Sequence, residues 1–244
     1  NRNLVAYYPF KGNFLDESGN GNHLTNGTSG ILLTNGPADI GKKAVYFASG
    51  TDSIRSIQNL GVIGNQYHSI SLWFQVPSIP KWNNGEGSLL IMGSNAPNQG
   101  ASRFSQIFID DENQDGNNPT RARIVFEGGY SDLEALNQNP ALFQQWNHLA
   151  VVYSGSVAAS KIYLNGMILG GTPWRGGNWT DVRNLLDGPV VLGNDILNGG
   201  MKAAPGGQLA DIRIYSRPLS NDEVAQLYLE NAPSHPDIQP PVIT

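Results

Sequence analysis

The run Gly207-Gln208-Leu209-Ala210-Asp211-Ile212-Arg213-Ile214-Tyr215-Ser216-Arg217-Pro218-Leu219-Ser220, continued by Asn221-Asp222-Glu223, contains both kinds of secondary structure that the chain uses. Residues 208–215 are apolar and β-branched enough for a strand, with one acidic residue, Asp211, interrupting it. Pro218 closes that strand. Ser220 followed three residues later by Glu223 is then a capping box, and Val224, Leu227 and Tyr228 fall on one face of the helix that it starts. Strand, turn and short helix thus follow one another within about two dozen residues.

Working outward, no second helix of this quality appears. Short apolar or alternating runs bounded by turn residues recur at 4–10, 43–47, 69–76, 88–92, 104–109, 122–127, 147–153, 161–164 and 190–192. Long polar connections are expected at 77–87, 94–103, 128–145 and 170–188, and no internal repeat is visible. Composition agrees: 29 Gly and 15 Pro in 244 residues, with only 14% charged residues, describe a chain of many turns. The expected fold class is all-β, a two-sheet antiparallel sandwich with one short C-terminal helix.

The same numbers exclude several function classes. A net charge of −5 without a Lys/Arg cluster offers no nucleic-acid footprint. No apolar stretch approaches the ~20 residues that span a bilayer, so membrane insertion is not expected. With no cysteine, disulfide frameworks and thiolate metal sites are absent. After Asn231 the character changes: Pro233, Pro236, Pro240 and Pro241 predict a linker over 232–244, following one sandwich over 1–231.

Several segments, in order, carry a family resemblance. Leu4-Val5-Ala6-Tyr7-Tyr8-Pro9-Phe10 leads into Asp16-Glu17-Ser18-Gly19-Asn20-Gly21-Asn22-His23; then come Ala44-Val45-Tyr46-Phe47 and Ser69-Ile70-Ser71-Leu72-Trp73-Phe74. Trp146-Asn147-His148-Leu149-Ala150 is followed by Ile162-Tyr163-Leu164-Asn165-Gly166, and the 207–220 run closes the series. Together they resemble the laminin-G-like, pentraxin-related domains of the concanavalin-A-like lectin/glucanase superfamily, of the type found in bacterial surface and carbohydrate-active proteins. The resemblance implies a jelly roll, an extracellular or cell-surface location, and Trp73 and Trp146 at core positions. Residues 237–244 resemble the opening of an Ig-like domain, which implies further domains in the same polypeptide.

The resemblance also implies a structural calcium ion between the first long loop and the last strand, at Asp16, Asn20 and Asp211. Calcium takes six to eight hard oxygens, and residues 16–22 are rich in them. Those residues also suit Asx-turns, with Asp211 facing solvent, and both readings stand. A second oxygen-rich stretch contains Asp111, Asn113 and Asp115, the first half of an EF-hand loop. Its twelfth position is Ala122 rather than a bidentate Glu, so a plain polar hairpin between two strands is the competing reading.

A glycan would be expected at the loop tryptophans. Trp82, Trp174 and Trp179 lie in Gly/Pro/Asn-rich loops beside Arg175 and Asn178. Indole rings can stack on apolar sugar faces while amide and guanidinium groups bond hydroxyls; equally, such rings can fold back over sandwich edges. No strand shows the alternating carboxylates of jelly-roll glycosidases, and His23, His68, His148 and His235 are scattered. The expected function is therefore a non-catalytic carbohydrate-binding module of a larger protein, with a glycan or polysaccharide as partner. An adhesion or spacer domain that binds proteins, and a divergent glycoside hydrolase or polysaccharide lyase, are the alternatives.

Overall fold

The computed structural model describes residues 3–25, 27–37, 43–80, 87–93, 103–111, 122–128, 132–137, 139–174, 181–194, 196 and 201–232. Fifteen strands, one α-helix and a short 3-10 helix (Pro140–Gln144) are built from them: β1 (Leu4–Tyr8), β2 (Ile31–Asn35), β3 (Lys43–Phe47), β4 (Ser53–Arg55), β5 (His68–Gln75), β6 (Gly87–Gly93), β7 (Phe104–Asp110), β8 (Ala122–Glu127), β9 (Asp132–Asn137), β10 (Asn147–Tyr153), β11 (Lys161–Leu164), β12 (Met167–Gly170), β13 (Thr172–Trp174), β14 (Val190–Gly193), β15 (Gln208–Tyr215) and α1 (Asn221–Leu229). They form two antiparallel sheets. The first runs β12-β11-β10-β5-β15-β3-β2, with β1 also paired to β15; the second runs β13-β9-β8-β7-β6-β14-β4.

The main core lies between the sheets. Ile70, Leu72 and Phe74 of β5, Leu149 and Val151 of β10, and Ile212 and Ile214 of β15 face Ile107, Ile109, Ile124 and Phe126 of the second sheet. Alternate residues of the first sheet point the other way, and α1 covers many of them. Val224 and Leu227 of the helix join Ala150, Val152, Tyr163 and Tyr215 in a second cluster. The central strands of that sheet are thus buried on both faces, which is why 69–76 and 147–153 read as continuous apolar runs rather than as clean alternation.

Trp73 is buried, but beneath the helix rather than between the sheets. Its ring stacks on Tyr228 with centroids 5.7 Å apart, and His148 lies 5.5 Å away. The expected helix start is present in full: the Ser220 side chain accepts from the Glu223 N–H, and the Glu223 carboxylate accepts from the Ser220 N–H. Ser69 fastens the strand-to-helix connection, donating to the Arg217 carbonyl and accepting from the Leu219 N–H.

Candidate functional site

In antiparallel pairs, residues directly opposite each other share a face, so the register gives the outer surface of the second sheet. Phe108 pairs with Val125 and Val125 with Glu134; Asp110 pairs with Arg123; Gln106 pairs with Glu127. That surface is polar at its centre. Arg123 holds Asp110 with two bonds, of 2.9 and 2.5 Å, and Glu134 with a third of 2.9 Å. Burial pushes the Glu134 carboxyl up, while Arg123 pulls it back. Gln106 is buried and donates to Ser88 at 3.2 Å. Two carboxylates of this face, Asp110 and Glu134, are held by one guanidinium, and Glu127 lies on the same face opposite Gln106.

The two tryptophan-bearing segments leave this sheet at opposite ends. Gly87, Asp110 and Asn137 mark one end, by the pairings Gly87–Ile109 and Ala122–Asn137; residues 81–86, including Trp82, precede Gly87 and lie outside the described residues. Trp174 closes β13 at the other end, where its backbone pairs with Asp132. Arg175, Asn178 and Trp179 follow it and also lie outside the described residues. The chain is described again from Asp181.

The end of the sandwich next to Asp181 contains side chains that the sequence reading passed over. Arg183 is fully buried, with its guanidinium 4.4 Å above the Phe126 ring and a 3.0 Å bond to the Phe126 carbonyl. Burial lowers its pKa to about 10. Its backbone N–H donates to the Tyr153 hydroxyl at 2.7 Å, and that hydroxyl donates to Asn65. Beside Asn65 stands Tyr67, 52% exposed and the only exposed aromatic side chain among the described residues. An aromatic residue in a polar stretch, Gly64-Asn65-Gln66-Tyr67, was the signal available; applied to tyrosine as it was to tryptophan, it would have found this residue.

The oxygen-rich loop is bonded to β1. Asp16 accepts from the Tyr7 and Ser18 backbone N–H groups, the Ser18 hydroxyl and the Asn22 N–H, at 2.8–2.9 Å. A carboxylate has about four acceptor positions, and these four donors occupy them. The Asn20 side-chain amide donates to the Leu4 and Val5 carbonyls at 2.8 and 3.0 Å. Asp211 sits across β1 in another network: it bonds Arg213 at 3.2 Å and accepts from the Asn231 amide. Tyr7 stands between the two, its N–H on Asp16 and its ring 4.8 Å from the Arg213 guanidinium. A cation at Asp16 would have to replace protein donors on both carboxylate oxygens. Of the second oxygen-rich stretch, Asp111 is buried just beyond β7, whereas Asn113 and Asp115 lie outside the described residues. Among the described residues, no group of three or more His, Asp or Glu side chains is disposed to hold a metal.

Between α1 and the end of β15 lies a cleft of about 720 Å³, lined by Asn3, Tyr215, Leu219 and two ion pairs. These are Arg213–Glu230 at 2.8 Å and Arg217–Glu223 at 2.6 Å. The bonds from Arg217, with the capping bond from Ser220, hold the Glu223 carboxyl down to about 2.

Comparison with known proteins places this geometry. No curated protein matches the chain in sequence. Among solved structures, domain 4 of AbnA, a GH43 extracellular arabinanase from Geobacillus stearothermophilus, in complex with arabinotriose, superposes with a TM-score of 0.63 at 25% identity; the match covers 93% of this chain and 98% of that one. The receptor binding domain of botulinum neurotoxin C/D mosaic serotype gives 0.63 at 15% identity, and the serotype D ligand binding domain in complex with N-acetylneuraminic acid gives 0.62 at 14%. The match spans about half of those toxin domains, 51% in each, and shares their fold. Residues 48–225 match the family model for laminin-G domains of the concanavalin A-like lectin/glucanases superfamily, and to that family the chain belongs.

Proposed function

We propose that the chain is a non-catalytic carbohydrate-binding module that takes a short neutral oligosaccharide at the end of the sandwich where β13 finishes. The observation that carries this reading is the likeness, over 98% of its length, to a domain whose solved complex contains arabinotriose. The Trp174–Trp179 stretch supports it, since Arg175, Asn178 and Trp179 bring stacking and hydroxyl-binding groups together in sequence. The non-catalytic part is supported by the outer face of the second sheet, where two of the carboxylates, Asp110 and Glu134, are engaged by Arg123. Retaining hydrolysis needs two carboxylates about 5–5.5 Å apart and free to act on the substrate.

The proposal includes residence outside a bacterial cell, within a longer protein of several domains, with residues 1–231 as the module and 232–244 as linker. Its support is the kind of protein that the arabinanase neighbour is. A structural calcium ion is the remaining element, supported by the oxygens of residues 16–22 and opposed by the filled acceptor positions of Asp16.

Calorimetric titration tests both. Arabinotriose should give saturable single-site heat, and no heat with it or with a panel of xylo-, gluco- and galacto-trisaccharides would overturn the binding role. A melting temperature that drops on chelation supports the ion, and one that does not move removes it.

A further inference from the structure

We infer that Tyr67 is the stacking platform of the sugar site, a deepening that rests on the carbohydrate-binding reading. Tyr67 is 52% exposed where the other described aromatic side chains are covered or half-covered. Its position is enforced by Gly155. That glycine has φ +88°, and a Cβ built on it would stand 2.5 Å from the Tyr67 Cε1 and 3.2 Å from its Cζ. The phenol ring therefore lies with its Cε1–Cζ edge against Gly155, in space that any side chain would occupy.

Its support is fixed in turn. The Gly155 carbonyl accepts from the Asn65 amide at 3.0 Å, and the Asn65 oxygen accepts from Tyr153. Two residues on, Val157 N–H donates to the Asp181 carbonyl at 2.7 Å, and Ala158 N–H to the Asp181 carboxylate at 3.0 Å. Arg183, two residues on from Asp181, lies over Phe126; Phe126 pairs with Leu133, and Leu133 with Pro173 of β13, so the platform stands at the end of the sandwich where β13 finishes.

An exposed aromatic ring fixed along one edge is suited to stack on the flat C–H face of a furanose or pyranose unit. Little side-chain entropy remains to be lost, because the ring is already placed. Its surroundings supply the other half of sugar recognition: Asn65 and Gln66 are exposed beside it, and Asp181 is half-exposed. Ile63 and Val182, 48% and 46% exposed, add further apolar contact. The occupant is thus one ring of a neutral oligosaccharide, with hydroxyls directed to the amide and carboxylate groups.

The test is titration of the whole chain and its variants with arabinotriose and with the same trisaccharide panel. Tyr67→Ala should bind about tenfold more weakly or worse, the loss expected for removing an anchoring ring. Tyr67→Phe, which keeps the ring, should remain within about threefold of the unaltered protein. Tyr67→Trp should report the sugar directly through a change in emission on binding. Unchanged affinity in Tyr67→Ala, with its melting temperature preserved, overturns the assignment while leaving the carbohydrate role standing. Absence of binding by the unaltered protein to every trisaccharide overturns both.

Discussion

Asp16 converts a glycine-rich loop into a fixed structure by accepting four donors, two from Ser18, one from Asn22 and one from β1. Removing it leaves those N–H and O–H groups unpaired in a site that is only 6% exposed. Asp16→Ala should cost about 2–4 kcal/mol, read as a lower urea midpoint at unchanged slope. Asp16→Asn should recover only part, because an amide presents two hydrogens where donors already point inward. The sequence shows these oxygens but not what faces them. Residues 16–22 supply the same atoms to a cation or to backbone donors, and only the loop's path over β1 distinguishes the two. Asp211 was legible as an oddity in an apolar strand for a related reason. It lies at φ +46°, where the ladder between β15 and β5 slips between Ala210 and Arg213, and it engages Arg213 and Asn231. No local pattern announces a bulge whose partners are two and twenty residues away.

The start of helix α1 was legible to the residue because a capping box is a purely local signal. Ser220→Ala removes the acceptor for the Glu223 N–H and should destabilise the protein by about 1 kcal/mol in urea unfolding. The loss should be larger than for a free helix, since α1 covers Trp73, His148 and Val152, and fraying opens that whole face. Strands were legible in proportion to their burial. Those predicted at 43–47, 122–127, 147–153, 161–164 and 208–215 have the bounds found, whereas β2, β4, β9, β12 and β13 went unrecognised. Four of these five, β2, β4, β12 and β13, lie on sheet edges. An edge strand is paired on one side only and can be exposed, as Met167 and Ile168 of β12 are, so it loses the alternation that betrays a central strand. β13 even contains Pro173, which an edge tolerates and a central strand does not. The tryptophan segments were legible as composition. That they join the second sheet at opposite ends was not, because it depends on how many strands intervene.

At the scale of the whole molecule, acid should be the effective denaturant. His68 and His148 are buried and neutral, with pKa values lowered to about 3 by desolvation. The unfolded chain protonates both near 6.5. The folded state therefore binds fewer protons between those limits, and stability, full above pH 6.5, falls as pH drops toward 3. The slope is at most about 1.4 kcal/mol per pH unit for each ring. Glu223, held down to about 2, adds a contribution that is present above the unfolded carboxyl range and fades below it. Solvent screening keeps that part small, since the side chain is 42% exposed. Urea midpoints should thus decline steadily from pH 7 to pH 4; a flat profile would show that the two imidazoles are not neutral in the core.

The pairing of β1 with β15 has a mechanical corollary. Leu4 lies opposite Tyr215, and the Ser216 N–H donates to the Asn3 carbonyl, so the first strand enters where the last one leaves. Tension applied through the two flanks of this pair would load its hydrogen bonds one after another, like a zipper, instead of all together in shear. Such an arrangement resists pulling weakly. Within a longer polypeptide it would let the domain sit to the side of the line of force, carrying little of it until β1 peels away.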